Sequence, residues 1–238
     1  MRPSFAVFRD NRTLEFPQNQ ETETPVNRPR LFVITPPSFE TASLAVSLED
    51  AFKGGDIASV LIYMPDANSK ELQTAAETLV PIIQAGGAAA LIYGDTQVAG
   101  RCGADGAHVD TSLEDVKLAV ESLQPAKIVG AGGTKLKHED METAETGIDY
   151  LFLGRLDLEE QASPHPKTLS KAEWWSQLFE TPCVALGGNT IASVEEAAAT
   201  GADFVALKDA IWQHAEGTAA AVTEANAILE NHPFEDMD

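Results

Sequence analysis

Short apolar runs recur along the whole sequence and constrain its fold more than any other feature. Each run has four to seven residues and lacks the alternation of a half-exposed strand, which predicts strands that are buried on both faces, as in a parallel sheet. The eight predicted strands are Leu31–Thr35, Ile57–Tyr63, Ala88–Tyr93, Gly106–Val109, Lys127–Ala131, Tyr150–Leu153, Cys183–Leu186 and Phe204–Leu207.

Helical patterns separate the strands and give the chain a regular strand–helix alternation. The predicted helices are Ala42–Lys53, Ser69–Gln84, Thr96–Cys102, Ser112–Leu123, His138–Thr146, Lys171–Glu180, Ser193–Thr200 and Asp209–Glu230. An internal echo supports the alternation, because "CGADGAHV", "TGIDYLFL" and "TGADFVAL" each place glycine and aspartate just before a strand. Eight such units predict an α/β protein of the (β/α)8 TIM barrel type. A doubly wound open sheet is the alternative, disfavoured because no GxGxxG follows the first strand.

The two ends of the chain differ from its middle, which predicts one barrel domain with two appendages. Residues 1–30 are polar and rich in proline, without periodicity, and are interpreted as an N-terminal arm. The barrel is assigned to residues 31–230. Residues 231–238 are predicted to be an acidic tail, because Pro233 cannot continue the last helix.

The charge balance excludes some partners and leaves others open. A formal net charge of -21 argues against nucleic acid, which requires clustered lysine and arginine, and against an anionic membrane surface. A small phosphorylated molecule remains compatible, because backbone N–H groups bind one without net positive charge. Cys102 and Cys183 fit no metal spacing and are predicted to be buried free thiols, which suits a cytoplasmic protein. A homo-oligomer is left open.

The loops after strands seven and eight are the first candidate site, because (β/α)8 barrels often bind phosphate there. Gly187 and Gly188 follow strand seven, and Lys208 and Asp209 follow strand eight. Glycines let the backbone approach an anion closely, and a helix N-terminus and the lysine add positive charge. The alternative is that the glycines only make a tight turn.

Three other loops carry candidate ligands. Asp95, after strand three, is predicted either to bind Mg²⁺ or to cap the following helix. Gly132, after strand five, stands in a glycine- and lysine-containing turn that accommodates an anion or is simply solvated. The long polar segment after strand six resembles a lid or binding loop, with Arg155, His165 and Lys167 as its candidate ligands.

These loops and strands resemble the thiamine phosphate synthase and TenI superfamily over about residues 31–212. The similarity lies in "LFVIT", "ALIYGD", "GADGAHV", "KIVGAGG", "GIDYLFLG", "PCVALGG" and "GADFVALKDAI", in the right order and spacing. The resemblance implies a Mg²⁺-assisted transferase of thiamine biosynthesis that joins a pyrimidine pyrophosphate to a thiazole phosphate. It also implies that Gly187, Gly188, Lys208 and Asp209 hold the thiazole phosphate.

The departures from the family pattern fall on the half of the site that would hold pyrophosphate. After strand two, Met64 stands near the family's arginine and Asp66 near its lysine. Arg155 and Lys167 are the candidates to stabilise pyrophosphate instead, with Gly132 in place of a serine. Two hypotheses follow: a synthase with an altered pyrophosphate site, or a non-catalytic binding or regulatory protein. A phosphosugar isomerase is a third, but it needs an acid–base pair that the sequence does not offer.

Overall fold

The computed structural model describes residues 27–234, in which eight parallel strands pair in chain order and close into a barrel. The strands are β1 (Arg30–Ile34), β2 (Ser59–Ile62), β3 (Ala89–Tyr93), β4 (Gly106–Val109), β5 (Ile128–Ala131), β6 (Tyr150–Leu153), β7 (Cys183–Leu186) and β8 (Phe204–Leu207). The last strand pairs with the first, with Phe32 opposite Ala206, so the sheet has no edge. The predicted (β/α)8 barrel is confirmed.

Helices connect the strands and cover the outside of the barrel. They are α1 (Thr41–Ala51), α2 (Ser69–Ala85), α3 (Thr96–Arg101), α4 (Leu113–Leu123), α5 (Lys137–Ala144), α6 (Pro166–Leu178), α7 (Ser193–Ala198), α8 (Asp209–Trp212) and α9 (Thr218–Leu229). A 3-10 turn, Phe52–Gly54, extends α1. Most of these helices agree with the sequence-based prediction.

Two predicted helices are corrected by the structure. The predicted helix Asp209–Glu230 is two helices, because the chain turns between α8 and α9 and Gly217 adopts a φ of 90°. The helix predicted from Lys171 begins at Pro166 instead. Proline fits the first position of a helix, where no N–H bond is lost, and the His165 side chain accepts a hydrogen bond from the Lys167 N–H at 3.1 Å.

Large aromatic side chains fill the barrel interior. Phe32, Tyr150 and Phe152 are almost fully buried and meet edge to face. The Tyr150 ring fits because Gly130 stands opposite it, where a Cβ atom would lie 1.9 Å from the ring. His108 Nδ1 lies 3.0 Å from the Tyr150 hydroxyl, and burial lowers the pKa of His108 to about 3. His108 is therefore a neutral core residue.

The described parts of the two termini meet beside the barrel. Asn27 and Phe234 exchange two hydrogen bonds of 3.1 Å, between the Asn27 side chain and the Phe234 carbonyl and between the Phe234 N–H and the Asn27 carbonyl. Arg30, assigned to the arm, is the first residue of β1. The rest of the predicted arm and the end of the acidic tail lie outside the described residues. No helix within residues 27–234 has the length and hydropathy to cross a membrane.

Candidate functional site

The glycine turn after β7 and Lys208 after β8 lie side by side at the carboxyl end of the barrel. β7 and β8 pair in parallel, with Leu186 opposite Ala206, and the Gly187 N–H donates to the Ala206 carbonyl at 2.8 Å. Gly187 and Lys208 each follow the last residues of these strands. The structure therefore brings together the residues that the sequence assigned to a phosphate.

Both glycines occupy positions with no room for a side chain. A Cβ atom on Gly187 would lie 2.7 Å from the Leu207 side chain, and one on Gly188 would lie 2.5 Å from the Ala162 carbonyl oxygen. The Gly188 N–H already donates to the Ser193 hydroxyl at 2.8 Å. The turn is thus tight as well as glycine-rich, and its amides are partly used.

Lys208 is the buried cation of this site, and its partner was not predicted. Its ammonium lies 3.0 Å from the Glu160 carboxylate, and the two side chains are 9% and 6% exposed. Burial raises the pKa of Glu160, because it disfavours the charged carboxylate, while Lys208 opposes the rise. The helix after Lys208, α8, has only four residues, so the ammonium carries most of the positive charge of this turn.

The residues between β6 and α6 cover the mouth of the barrel, and we call Leu156–Ala162 the mouth segment. The Leu156 side chain is buried within the interior cluster, and its carbonyl accepts a hydrogen bond from the Tyr63 hydroxyl at 3.3 Å. At the other end of the segment, the Thr190 hydroxyl donates to the Ala162 carbonyl at 2.8 Å. The segment is therefore a packed cover, as the long polar loop suggested.

Arg155 and Lys167 flank the mouth segment on the same rim. Arg155 is about one-third exposed and forms a two-point contact with Asp157, with its Nε 2.7 Å from one carboxylate oxygen. Lys167 is exposed and is the second residue of α6. Both predicted cations are near the mouth, but Arg155 is already neutralised by an acidic residue of the mouth segment.

The wall formed by β2, β3 and β4 presents aromatic and acidic groups to the mouth. The rings of Tyr63 and Tyr93 meet edge to face, with centroids 4.7 Å apart, and the Tyr93 hydroxyl donates to Asp110 at 3.0 Å. Burial raises the pKa of both tyrosines and of Asp110. The phenols are therefore neutral hydrogen-bond donors at pH 7. In an eight-stranded barrel, β3 and β4 stand opposite β7 and β8.

Gly132 borders a different cavity, between the loops that follow β4 and β5. This cavity has a volume of about 390 Å³, and its lining includes Asp110, Gly133 and Lys135 but not Lys208. A Cβ atom on Gly132 would lie 2.7 Å from the Phe152 carbonyl oxygen. Gly132 therefore belongs to the rim but not to the β7–β8 turn pair.

Asp95 caps α3, and both oxygens of its carboxylate accept hydrogen bonds. One oxygen accepts hydrogen bonds from the N–H groups of Gln97 and Val98, at 3.0 and 2.9 Å, and the other accepts from the Ser69 hydroxyl at 2.7 Å. No group of three or more acidic, histidine or cysteine side chains suited to a metal occurs within residues 27–234. Of the two predicted roles, the geometry supports the cap.

Sequence reasoning missed the acidic and aromatic members of the site. In "LDLEEQ" it singled out no carboxylate, although Glu160 provides the charge partner of Lys208. It passed over Asp110 and the two tyrosines because they end strands that read as apolar. For Asp110 and the two tyrosines the usable signal is position, because each ends or directly follows a strand at the carboxyl rim, where the functional groups of such barrels lie.

Fold and rim together define a (β/α)8 protein with a candidate phosphate site after β7 and β8, and comparison with known proteins gives its family. The thiamine monophosphate synthase family (TMP-TENI) matches residues 31–211. A thiamine-phosphate synthase of Rhodospirillum centenum is 34% identical over 203 residues, 84% of this chain and 97% of that protein. One of Hyphomonas neptunium is 31% identical over 217 residues, 89% and 98% of the two chains.

Among solved structures, a thiamine phosphate pyrophosphorylase from Pyrococcus furiosus superposes with a TM-score of 0.69. It covers 86% of this chain and 97% of its own, at 24% identity, so it supports the fold. The chain belongs to the thiamine monophosphate synthase family. The predicted superfamily and a synthase-like function in thiamine biosynthesis are thereby confirmed.

Proposed function

We propose that this protein is a thiamine phosphate synthase, which joins a pyrimidine pyrophosphate to a thiazole phosphate and releases pyrophosphate. One observation carries the proposal: the glycine turn after β7 and the buried Lys208 after β8 lie side by side at the carboxyl end of the barrel. Relatives that align over nearly their whole length are named synthases, which favours catalysis over the non-catalytic alternative.

Lys208 has the central role in holding the thiazole phosphate. Its ammonium is buried, where a charge interacts more strongly than in water because the surroundings are less polarisable. Gly187 and Gly188 keep side chains out of the turn beside it, and the N–H of Asp209 faces the same space. A phosphate at this position receives one full charge and close backbone contacts.

Arg155 and Lys167 are the cations proposed to stabilise the departing pyrophosphate. The reaction is a displacement at a benzylic-type carbon: the C–O bond to pyrophosphate breaks with its electron pair leaving on oxygen, and the bond to the thiazole forms. Positive charge positioned at that oxygen lowers the barrier. Arg155 must first separate from Asp157, an exposed contact that costs little to break.

The pyrimidine is assigned to the aromatic wall of the mouth, against Tyr63 and Tyr93, with the Tyr63 ring centroid 6.0 Å from the Lys208 ammonium. Aromatic rings stack or meet edge to face with other rings, and burial raises the pKa of both tyrosines further above neutral pH. Gly132, on the loop after β5, borders the cavity between the loops after β4 and β5, which is proposed to take the pyrophosphate. We assign magnesium no protein ligand, because the Asp95 carboxylate is used as a helix cap.

The direct test is a coupling assay with purified full-length protein. We expect thiamine phosphate and pyrophosphate to form in equal amounts when both substrates and Mg²⁺ are present. Reactions that lack either substrate are the blanks. Product at the level of the blanks, from protein that binds both substrates by calorimetry, would remove the proposal and restore the non-catalytic alternative.

A further inference from the structure

Glu160 occupies the place that the proposed function gives to the thiazole phosphate. Its carboxylate pairs with the Lys208 ammonium at 3.0 Å and faces the backbone N–H of Asp209. Both are donors of the β8 turn that an anion can use. A side-chain anion of this chain therefore stands where the substrate's anion is expected.

The mouth segment that carries Glu160 also closes the glycine side of the site. The carbonyl oxygens of Gln161 and Ala162 would lie 2.6 and 2.5 Å from a Cβ atom on Gly188. The Asn189 N–H donates to the Gln161 carbonyl at 2.8 Å. With backbone packed this closely on Gly188, a phosphate and the mouth segment do not fit there together.

The buried Glu160 carboxylate depends on its charge contact with Lys208. Neither of its oxygens has a well-aligned donor among the residues that the structure describes. Removing a carboxylate from water costs several kcal/mol, and attraction to one lysine offsets this cost only in part. Glu160 is therefore a weakly satisfied occupant that a better anion can replace.

We propose that Glu160 is an internal competitor of the substrate phosphate for Lys208. Phosphate binding and the Lys208–Glu160 pair exclude each other, and binding displaces the mouth segment. A phosphate monoester carries a charge of about −1.5 to −2 at pH 7 and three acceptor oxygens. It displaces the carboxylate, whereas an uncharged alcohol does not. The inference rests on the proposed function, because it assumes phosphate at Lys208.

The test compares the wild type with Glu160→Gln, which keeps the shape of the side chain and removes its charge. Calorimetry uses thiazole phosphate, the dephosphorylated thiazole alcohol and inorganic phosphate as probes. We expect Glu160→Gln to bind thiazole phosphate and inorganic phosphate at least about tenfold more tightly, because a charge-assisted contact no longer has to be broken. Affinity for the alcohol stays unchanged. Glu159→Gln, an exposed neighbour on the same segment, is the matched control and behaves as wild type.

Trypsin cleavage after Arg155 gives a second readout that does not depend on affinity. Leu156 is 6% exposed in the closed segment, so the Arg155–Leu156 bond is protected. We expect inorganic phosphate to accelerate this cut in the wild type, and Glu160→Gln to be cut faster even without phosphate. Mass spectrometry of the fragments identifies the site.

The outcomes separate this inference from the proposed function. Equal phosphate affinity in the wild type and Glu160→Gln would overturn the competition and leave the synthase proposal standing. Phosphate binding that protects the Arg155–Leu156 bond would overturn it as well. If no variant bound either phosphate probe, both the phosphate site and the competition would be lost.

Discussion

Carboxylates at the two ends of the barrel have opposite environments. At the amino end, Asp105, Asp149 and Asp203 each accept a hydrogen bond from the first part of a neighbouring strand, at 2.7 to 2.8 Å. They are the three aspartates of the internal echo in the sequence. Each joins two adjacent strands at a position where the backbone N–H would otherwise lack a partner.

At the carboxyl end, Asp110, Asp157 and Glu160 contact side chains that are also proposed to bind the substrates. Asp157 pairs with Arg155 and Glu160 with Lys208, both proposed substrate cations. Burial raises the pKa of Glu160 and Asp110. The comparison teaches that the repeated carboxylates fix the barrel, whereas Asp157 and Glu160, outside the repeat, neutralise the two cations proposed to bind substrate.

The largest expected effect comes from breaking the buried pair at the carboxyl end. Lys208→Met leaves the Glu160 carboxylate buried without its charge partner, and we expect a loss of about 3–5 kcal/mol in the free energy of unfolding. Urea denaturation measures it. The double variant Lys208→Met with Glu160→Gln removes both charges and recovers most of the loss. A single variant as stable as wild type would show that the pair is not a buried ionic contact.

The fold was predictable because its signals are local and repeated. Apolar runs of four to seven residues each mark one βα unit, the aspartate echo marks three of them, and eight units permit few closed arrangements. The predicted helix after Asp209 failed at Gly217, because its alanine-rich pattern continues through a turn that only the positive φ of glycine reveals.

The candidate site was predictable only in part, because its charges pair across long sequence separations. Lys208 and Gly188 are marked by their positions after strands. Glu160 meets Lys208 from 48 positions earlier in the chain, and nothing in the local sequence "LDLEEQ" distinguishes it from exposed Glu159. The role of Asp95 as a cap rather than a metal ligand depends on Ser69, which lies on another helix.

The next largest effect concerns the rim cations that face solvent. Arg155→Ala and Lys167→Ala each remove a charge proposed to stabilise pyrophosphate, and we expect each to lower kcat/KM by about 10²–10³, a scale typical of one lost transition-state contact. Steady-state kinetics with both substrates measure this. Lys117→Ala, an exposed cation on α4, is the control. Normal turnover in both rim variants would move the pyrophosphate site elsewhere.

A smaller effect is expected at the amino end, and only on stability. Asp149 accepts hydrogen bonds from the Val129 N–H at 2.7 Å and the Gln124 side chain at 3.0 Å. Asp149→Ala removes the acceptor of the Val129 N–H, while the Gln124 amide keeps the Gly147 carbonyl, and we expect a loss of about 1–3 kcal/mol in the free energy of unfolding with unchanged kcat. A fall in kcat without a loss of stability would contradict the division between the two ends.

The smallest effect on stability is expected at Asp95, and it distinguishes a helix cap from a Mg²⁺ ligand. Asparagine caps helices about as well as aspartate, so Asp95→Asn is expected to change stability by only a few tenths of a kcal/mol, whereas Asp95→Ala costs about 0.5–2 kcal/mol. If Asp95 were a metal ligand, Asp95→Asn would instead impair Mg²⁺ binding, because asparagine lacks the negative charge that Mg²⁺ requires.

Both variants are titrated with Mg²⁺ in the coupling assay. Since both Asp95 oxygens already accept hydrogen bonds, we expect the Mg²⁺ concentration for half-maximal rate to be the same in Asp95→Asn and wild type. A large increase in that concentration would instead make Asp95 a metal ligand and place a functional carboxylate inside a helix cap.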